Sequence, residues 1–189
     1  MKATLIIGSP HSNGSCACLV DSLIEGLREG GVDTVRYCVG EAELRYCLGC
    51  KQCYHTGQCP QQDDVSTIVT HLLTSDIAVI AAPSYWAGIP AQLKTLFDRT
   101  TPYGNTNPRR PMTSKPGAIG IAIAVRAGKS EGENEMLLNE ISHYLGHLEI
   151  ETAFRFSVCN TDTKSDLLRQ HQAAIEQLHA LGRKLATGH

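Results

Sequence analysis

Thr4-Leu5-Ile6-Ile7-Gly8-Ser9-Pro10-His11-Ser12-Asn13-Gly14-Ser15 carries the strongest signal in the chain. A short apolar run without polar alternation stops in a loop of small residues. Leu19, Leu23 and Leu27 follow at four-residue spacing, the mark of one buried helix face. A strand that feeds a small-residue loop and then a helix start makes a seat for an anion. The first-turn N–H groups have no partner inside the helix, and the helix dipole favours negative charge there. Ser9, Ser12 and Ser15 add hydroxyls, and the loop is read as a phosphate site. Neither GxxxxGK[ST] nor GxGxxG is present, so it is neither the nucleoside-triphosphate loop nor the usual dinucleotide fingerprint. No Lys or Arg stands between Gly8 and Arg28, which leaves backbone, hydroxyls and His11 to do the holding.

Working outward, buried-strand runs recur at Ala3–Ser9, Thr34–Val39, Ile77–Ala82, Gly117–Val125 and Ile150–Val158. Helical patterns stand between and after them at Ser15–Glu29, Asp64–Leu73, Pro90–Asp98, Asn134–Leu145 and Ser165–Ala186. The first, third and fourth runs lack alternation, as strands do when both sheet faces are covered. Five strands alternating with helices predict an α/β protein: a flavodoxin-like, doubly wound parallel sheet of order 2-1-3-4-5 with helices on both faces. Ligands of such sheets lie beyond the carboxyl ends of the strands, at the order reversal beside the first strand. The 189 residues suit a single domain over 1–189. A formal charge of −2 gives no case for nucleic acid. The longest apolar runs, Ile77–Pro83 and Ile119–Val125, are too short to span a bilayer, and the N-terminus does not read as a signal peptide. A cytoplasmic protein is expected. Its eight cysteines are then metal ligands, redox groups or inert thiols rather than a disulfide scaffold. The Pro/Asn/Gly-rich stretch Thr101–Ser114 is long for a connection, which suggests a functional or mobile loop.

Two further loops fall on the same sheet edge. Pro83-Ser84-Tyr85-Trp86-Ala87-Gly88 follows the third strand and contains the only Trp. An aromatic pair before a glycine suits the wall of a flat ring, with Gly88 admitting backbone N–H groups to ring atoms, although packing against a helix or subunit explains the pair equally well. Arg126-Ala127-Gly128 follows the fourth strand, where Arg126 can balance a phosphate or ring anion.

Taken with Ala91-Gln92-Leu93-Lys94 and Phe97-Asp98-Arg99, these loops resemble the flavodoxin-like NADPH-dependent FMN reductase family over most of the chain. The resemblance implies an FMN-dependent oxidoreductase that takes electrons from NAD(P)H as co-substrate to a small-molecule acceptor such as a quinone, nitro compound or flavin. By the same resemblance, Ser9, His11, Ser12, Asn13, Gly14, Ser15 and Cys16 surround the FMN phosphate. Pro83, Ser84, Tyr85, Trp86, Ala87 and Gly88 line the ribityl chain and ring, and Arg126, Ala127 and Gly128 cover another ring edge. It implies a homodimer or homotetramer with no catalytic side chain. The chain departs from the family at His11, where Arg is frequent, and at Ser15-Cys16, where Asn-Thr or Asn-Ser is frequent. A thiol is a weak donor, so weaker FMN affinity is expected, and His11 would make binding pH-sensitive.

Cys47, Cys50, Cys53 and Cys59 form a CxxCxxCx5C run followed by Pro60. Such a soft quartet suits a [4Fe–4S] cluster or zinc, and the spacing is similar to that of the iron–sulfur flavoprotein branch of the same fold. Other relatives with this pattern carry buried or redox-labile thiols without a cluster, and that alternative is preferred here. An electron carrier, with or without a cluster, is thus the rival function. No Cys is followed six residues later by Arg, which removes the low-molecular-weight phosphatase reading. Asp63-Asp64 reads as an N-cap. His143 and His147, at HxxxH spacing without the metalloprotease Glu, read as a solvated or interface pair. Asn134, Glu135 and Glu140 read as solvated.

Overall fold

The computed structural model describes residues 1–188. Five parallel strands, β1 (Lys2–Ile7), β2 (Asp33–Cys38), β3 (Ile77–Pro83), β4 (Ile119–Val125) and β5 (Glu151–Val158), form one sheet of order β2-β1-β3-β4-β5. The helices are α1 (Ser15–Glu29), α2 (Gln52–Thr56), α3 (Val65–Thr74), α4 (Ala91–Arg99), α5 (Glu131–His147), α6 (Lys164–Gln170) and α7 (Gln172–Thr187). The three central strands are buried along almost their whole length, while the edge strand β5 alternates between exposed and half-buried positions. The apolar runs lack alternation for that reason: each central residue faces a helix layer on one side or the other.

One core lies under α1, α6 and α7, the other under α3, α4 and α5. Leu19, Leu23 and Leu27 of α1 are fully buried in the first, each worth about 1.5–3 kcal/mol relative to exposure. On their outer side α1 and α7 meet backbone to backbone. A Cβ on Gly182 would stand 2.5 Å from the Leu23 carbonyl oxygen, and one on Gly26 would collide with that of His179.

Four expectations need correction. The single helix over Ser165–Ala186 is two, separated at His171, whose φ of −128° leaves the helix. A straight rod cannot both stand over the Asn13 loop, as Lys164 does, and lie along α1. Helix α5 starts at Glu131, and Asn134 is buried rather than solvated. Its amide donates to the Ala124 carbonyl (3.3 Å), the Ser157 hydroxyl (3.0 Å) and the Val158 carbonyl (3.3 Å), stitching β4 to β5. Helix α2 was not foreseen; left-handed Lys51 and Gly57 delimit its five residues. The stretch Thr101–Ser114 is anchored rather than free, because buried Asn107 donates to the Cys53 carbonyl at 3.2 Å. Among the described residues no helix is long and apolar enough to cross a membrane.

Candidate functional site

The order reversal opens beside β1, and the loops after β1, β3 and β4 meet there around a cavity of about 240 Å³. Ser9, His11, Gly14, Ser15 and Cys16 form one wall, Pro83, Ser84 and Tyr85 a second, and Arg126 with Ala127 a third. Ser12, Asn13, Trp86, Ala87, Gly88 and Gly128 stand outside this wall, on the same loops. The first loop is tight: Gly8 N–H donates to the Ala81 carbonyl at 2.7 Å, and His11 N–H to the Ser9 hydroxyl at 3.1 Å. Gly14 begins α1 with no side-chain cap, leaving the first-turn amides without a capping acceptor. The hydroxyls of Ser15 and Ser84 are buried without a hydrogen-bond partner. A buried, unpaired donor costs about 1–3 kcal/mol, so these two, with the unpartnered Nε of Arg126 at the same cavity, are a strong ligand signal. Burial pushes the Cys16 thiol up to about 12, which keeps it neutral at physiological pH.

The loop itself contains no cation, and the sequence offered only Arg126 from another loop; the tertiary structure brings two more. Arg36 of β2 donates to the Ser12 carbonyl at 2.6 Å and pairs with Asp21 at 2.9 Å. Lys164, at the start of α6, donates to the Asn13 side chain at 2.8 Å. Thr161 and Asp162, beyond β5, also line the cavity. Their place at a strand's carboxyl end was the available signal for them. Arg126, by contrast, is not a free counter-charge. It pairs with Glu133 at 2.8 Å and donates to the Ser130 carbonyl at 3.1 Å.

After β3 the chain makes a two-residue reversal. Tyr85 and Gly88 exchange both backbone hydrogen bonds, at 2.9 and 3.1 Å, while Trp86 (φ 55°) and Ala87 (φ 61°) occupy the left-handed region. Such turns favour Asn-Gly, and non-glycine residues there carry strain of order 1–3 kcal/mol each. The Gly88 N–H is therefore bonded within the turn, whereas among the described residues the Trp86 and Ala87 N–H groups make no backbone hydrogen bond. The turn thrusts Trp86 wholly into solvent (100% exposed).

A second cavity, of about 200 Å³, is lined by all four cysteines of the CxxCxxCx5C run, with Arg99. Cys47 and Cys50 are exposed; Cys53 and Cys59 are half-buried. Burial, helped by the neighbouring thiols, pushes Cys53 up, which favours its neutral form. The donors are right for a soft metal. Among the described residues, however, no three potential ligands are gathered to hold an ion, so the loop is not a preformed cage.

What closes the cysteine loop is an ion pair. Arg99 and Asp63 have side chains only 2% and 1% exposed and meet at 2.6 Å. Arg99 also donates to the Arg45 carbonyl at 2.6 Å and the Gln61 carbonyl at 3.4 Å, tying both ends of the loop to α4. Asp63 accepts from the amides of Arg45 (3.0 Å) and Val65 (3.2 Å) as well. Burial works against its charge, but these bonds outweigh burial and hold its carboxyl below the usual range. Asp63 is thus chiefly the partner of Arg99, with helix-start capping as a secondary role. Asp64 stands at the cap position of α3, yet its carboxylate accepts from Glu43 N–H at 2.7 Å.

Residues 1–157 match the NADPH-dependent FMN reductase family. The chain is 31% identical over 159 residues to an iron–sulfur flavoprotein of Archaeoglobus fulgidus, covering 84% of this chain and 70% of the relative. It is 26% identical over 185 residues to YwqN of Bacillus subtilis, whose name places it provisionally among NAD(P)H-dependent FMN-containing oxidoreductases, with 92% of each chain covered. Its fold is that of the NAD(P)H:quinone oxidoreductase from Methanothermobacter marburgensis. The TM-score is 0.70, with 16% identity and 98% and 96% of the two chains covered.

Proposed function

The chain belongs to the NADPH-dependent FMN reductase family, and from that footing we propose that the three-loop cavity seats FMN and that the reduced protein passes electrons to a small flat acceptor. The reading is carried by the unpartnered, buried hydroxyls of Ser15 and Ser84 in one cavity at the sheet's switch point. The first-turn amides of α1 and the Ser15 hydroxyl hold the phosphate. Arg36 and Lys164, behind and beside the loop, make its potential positive. The Ser84 hydroxyl donates to the sugar-alcohol chain.

A cavity of about 240 Å³ has room for the phosphate end, and the ring would then lie at the rim. There the Tyr85–Gly88 turn would hold one side of the ring through the Trp86 and Ala87 amides, and Ala127 and Gly128 would hold the other. Bound FMN supplies the two-electron chemistry between NAD(P)H and the acceptor. The chain supplies orientation, hydrogen bonds and one open ring face, shared in turn by nicotinamide and acceptor. No side chain is needed as acid or base. Candidate acceptors are quinones, nitro or azo compounds and free flavin. Trp86, exposed at the rim, fits a site completed by a second copy in a homodimer or homotetramer, and a cytoplasmic location belongs to the same proposal.

FMN titration of the apoprotein tests the site. Ser15→Ala and Ser84→Ala each remove a hydrogen bond worth about 0.5–1.5 kcal/mol, so each weakens FMN about 2- to 12-fold. Unchanged affinity in both variants refutes the placement.

That all four thiols line one cavity, although no three are gathered as the loop stands, favours a second reading, in which the loop closes on a soft-metal centre and the protein is an electron carrier. Iron and acid-labile sulfide assays on anaerobically purified protein decide it. Near four irons per chain support the centre, and metal-free protein with four titratable loop thiols rejects it.

A further inference from the structure

The last turn of α5 carries His143 and His147 on one face, four residues apart. Their rings meet edge to face, and the two Nε2 atoms stand 3.2 Å apart. The other nitrogen of His147 is committed: Nδ1 lies 3.1 Å from the Asn105 side-chain oxygen. That oxygen only accepts, and the neutral tautomer that satisfies it would leave Nε2 with a lone pair. Asn105 is itself held, because its N–H donates to the His147 carbonyl at 2.8 Å. A metal-bound histidine is likewise oriented by a hydrogen bond from its other nitrogen, and an ion here would replace the Nε2–Nε2 hydrogen bond between the rings. Two imidazole nitrogens on one tetrahedral ion, each about 2.0–2.1 Å from it, lie roughly 3.4 Å apart. The observed spacing is close to that, and both rings are exposed to solvent. They line a cavity of about 270 Å³ that also holds Glu140, Asp98 and, from the cysteine loop, Tyr54. Asp98 is paired with Lys94. Glu140 uses one oxygen to accept from Ile89 N–H at 3.3 Å.

We propose that His143 and His147 form a two-histidine seat for a divalent transition-metal ion of the zinc, nickel or copper type, with Asn105 as the positioning residue and water at the remaining coordination positions. Imidazole suits these ions rather than magnesium or calcium. The seat is separate from the FMN cavity and from the four cysteines, and it holds whether or not either of those is filled. An ion there would stand between α5 and the cysteine loop.

The test uses the full-length, untagged, flavin-loaded protein with Cys47, Cys50, Cys53 and Cys59 replaced by Ser, so that thiols do not compete for metal. Zn²⁺ and Ni²⁺ are titrated by calorimetry. One equivalent is expected, weakened at least tenfold by His143→Ala or His147→Ala, and roughly tenfold by Asn105→Ala, the usual scale for an orienting partner. Mg²⁺ should not bind there. If the serine background does not fold, the wild-type chain with thiols blocked by N-ethylmaleimide is compared with the same variants for retention on immobilised Ni²⁺. Equal binding by parent and both histidine variants overturns the proposal. So does the absence of saturable binding at millimolar metal, which would mean that the two rings only share a proton.

Discussion

Replacing Arg99 by Leu should destabilise the protein by about 3 kcal/mol. The side chain is 2% exposed and makes bonds to Asp63 at 2.6 and 3.1 Å, besides its bonds to the Arg45 and Gln61 carbonyls. Breaking a buried pair from one side costs about 3–5 kcal/mol, because the remaining charge stays out of water. Asp63 keeps the amides of Arg45 and Val65 as donors, which puts the cost at the lower end. For a chain of this size that is a fall in Tm of roughly 6–12 °C, at about 2–4 °C per kcal/mol. Urea unfolding at pH 7, with a calorimetric Tm alongside, measures it. Asp63→Asn in the Arg99→Leu background should recover part of the loss by removing the stranded charge. The pH dependence follows from the depressed carboxyl. Its contribution is complete above the ordinary carboxylate pKa and is lost as pH falls through the lower, folded value. That acid-side loss should shrink in Arg99→Leu. Reaction of the loop thiols with a disulfide reagent should quicken, since both loop ends are released. A loss under 1 kcal/mol, with unchanged thiol reactivity, refutes the clamp.

Lys164→Ala should weaken FMN about 2- to 5-fold at low salt while leaving riboflavin binding unchanged, with the gap closing as ionic strength rises; parallel titrations of the two ligands measure it. Ala87→Gly relieves a left-handed alanine, and urea unfolding should show it more stable by about 0.5–1 kcal/mol after the entropy of the new glycine is counted. Gly182→Ala drives a methyl against the Leu23 carbonyl, and a loss of about 1–3 kcal/mol is expected by the same measurement.

The strand runs and the spacing of Leu19, Leu23 and Leu27 determined the parallel α/β class, and the strand order, expected from the flavodoxin-like plan, is the one observed. That information is short-range: an apolar run covered on both faces and a 3.6-residue stripe need no knowledge of distant residues. The tight first loop and the uncapped start of α1 were legible for the same reason, since a strand, a small-residue turn and a helix start are consecutive. The role of Asn134 was not legible. A polar side chain near a helix start reads as solvated until β4 and β5 are seen to place three acceptors around it. Nor was the charge around the first loop. Lys164 is 151 residues from Asn13, and Arg36 stands on another strand. Only the crossovers that carry β2 and α6 to the same end of the sheet bring their cations to one loop. Asp63 likewise reads as a cap in sequence and Arg99 only as part of a shared motif; they become one buried pair only when α4 packs against both ends of the cysteine loop. Local pattern thus decided where a ligand can sit. Long-range packing decided which charges surround it, because electrostatic partners are chosen by distance in space and carry no periodicity along the chain.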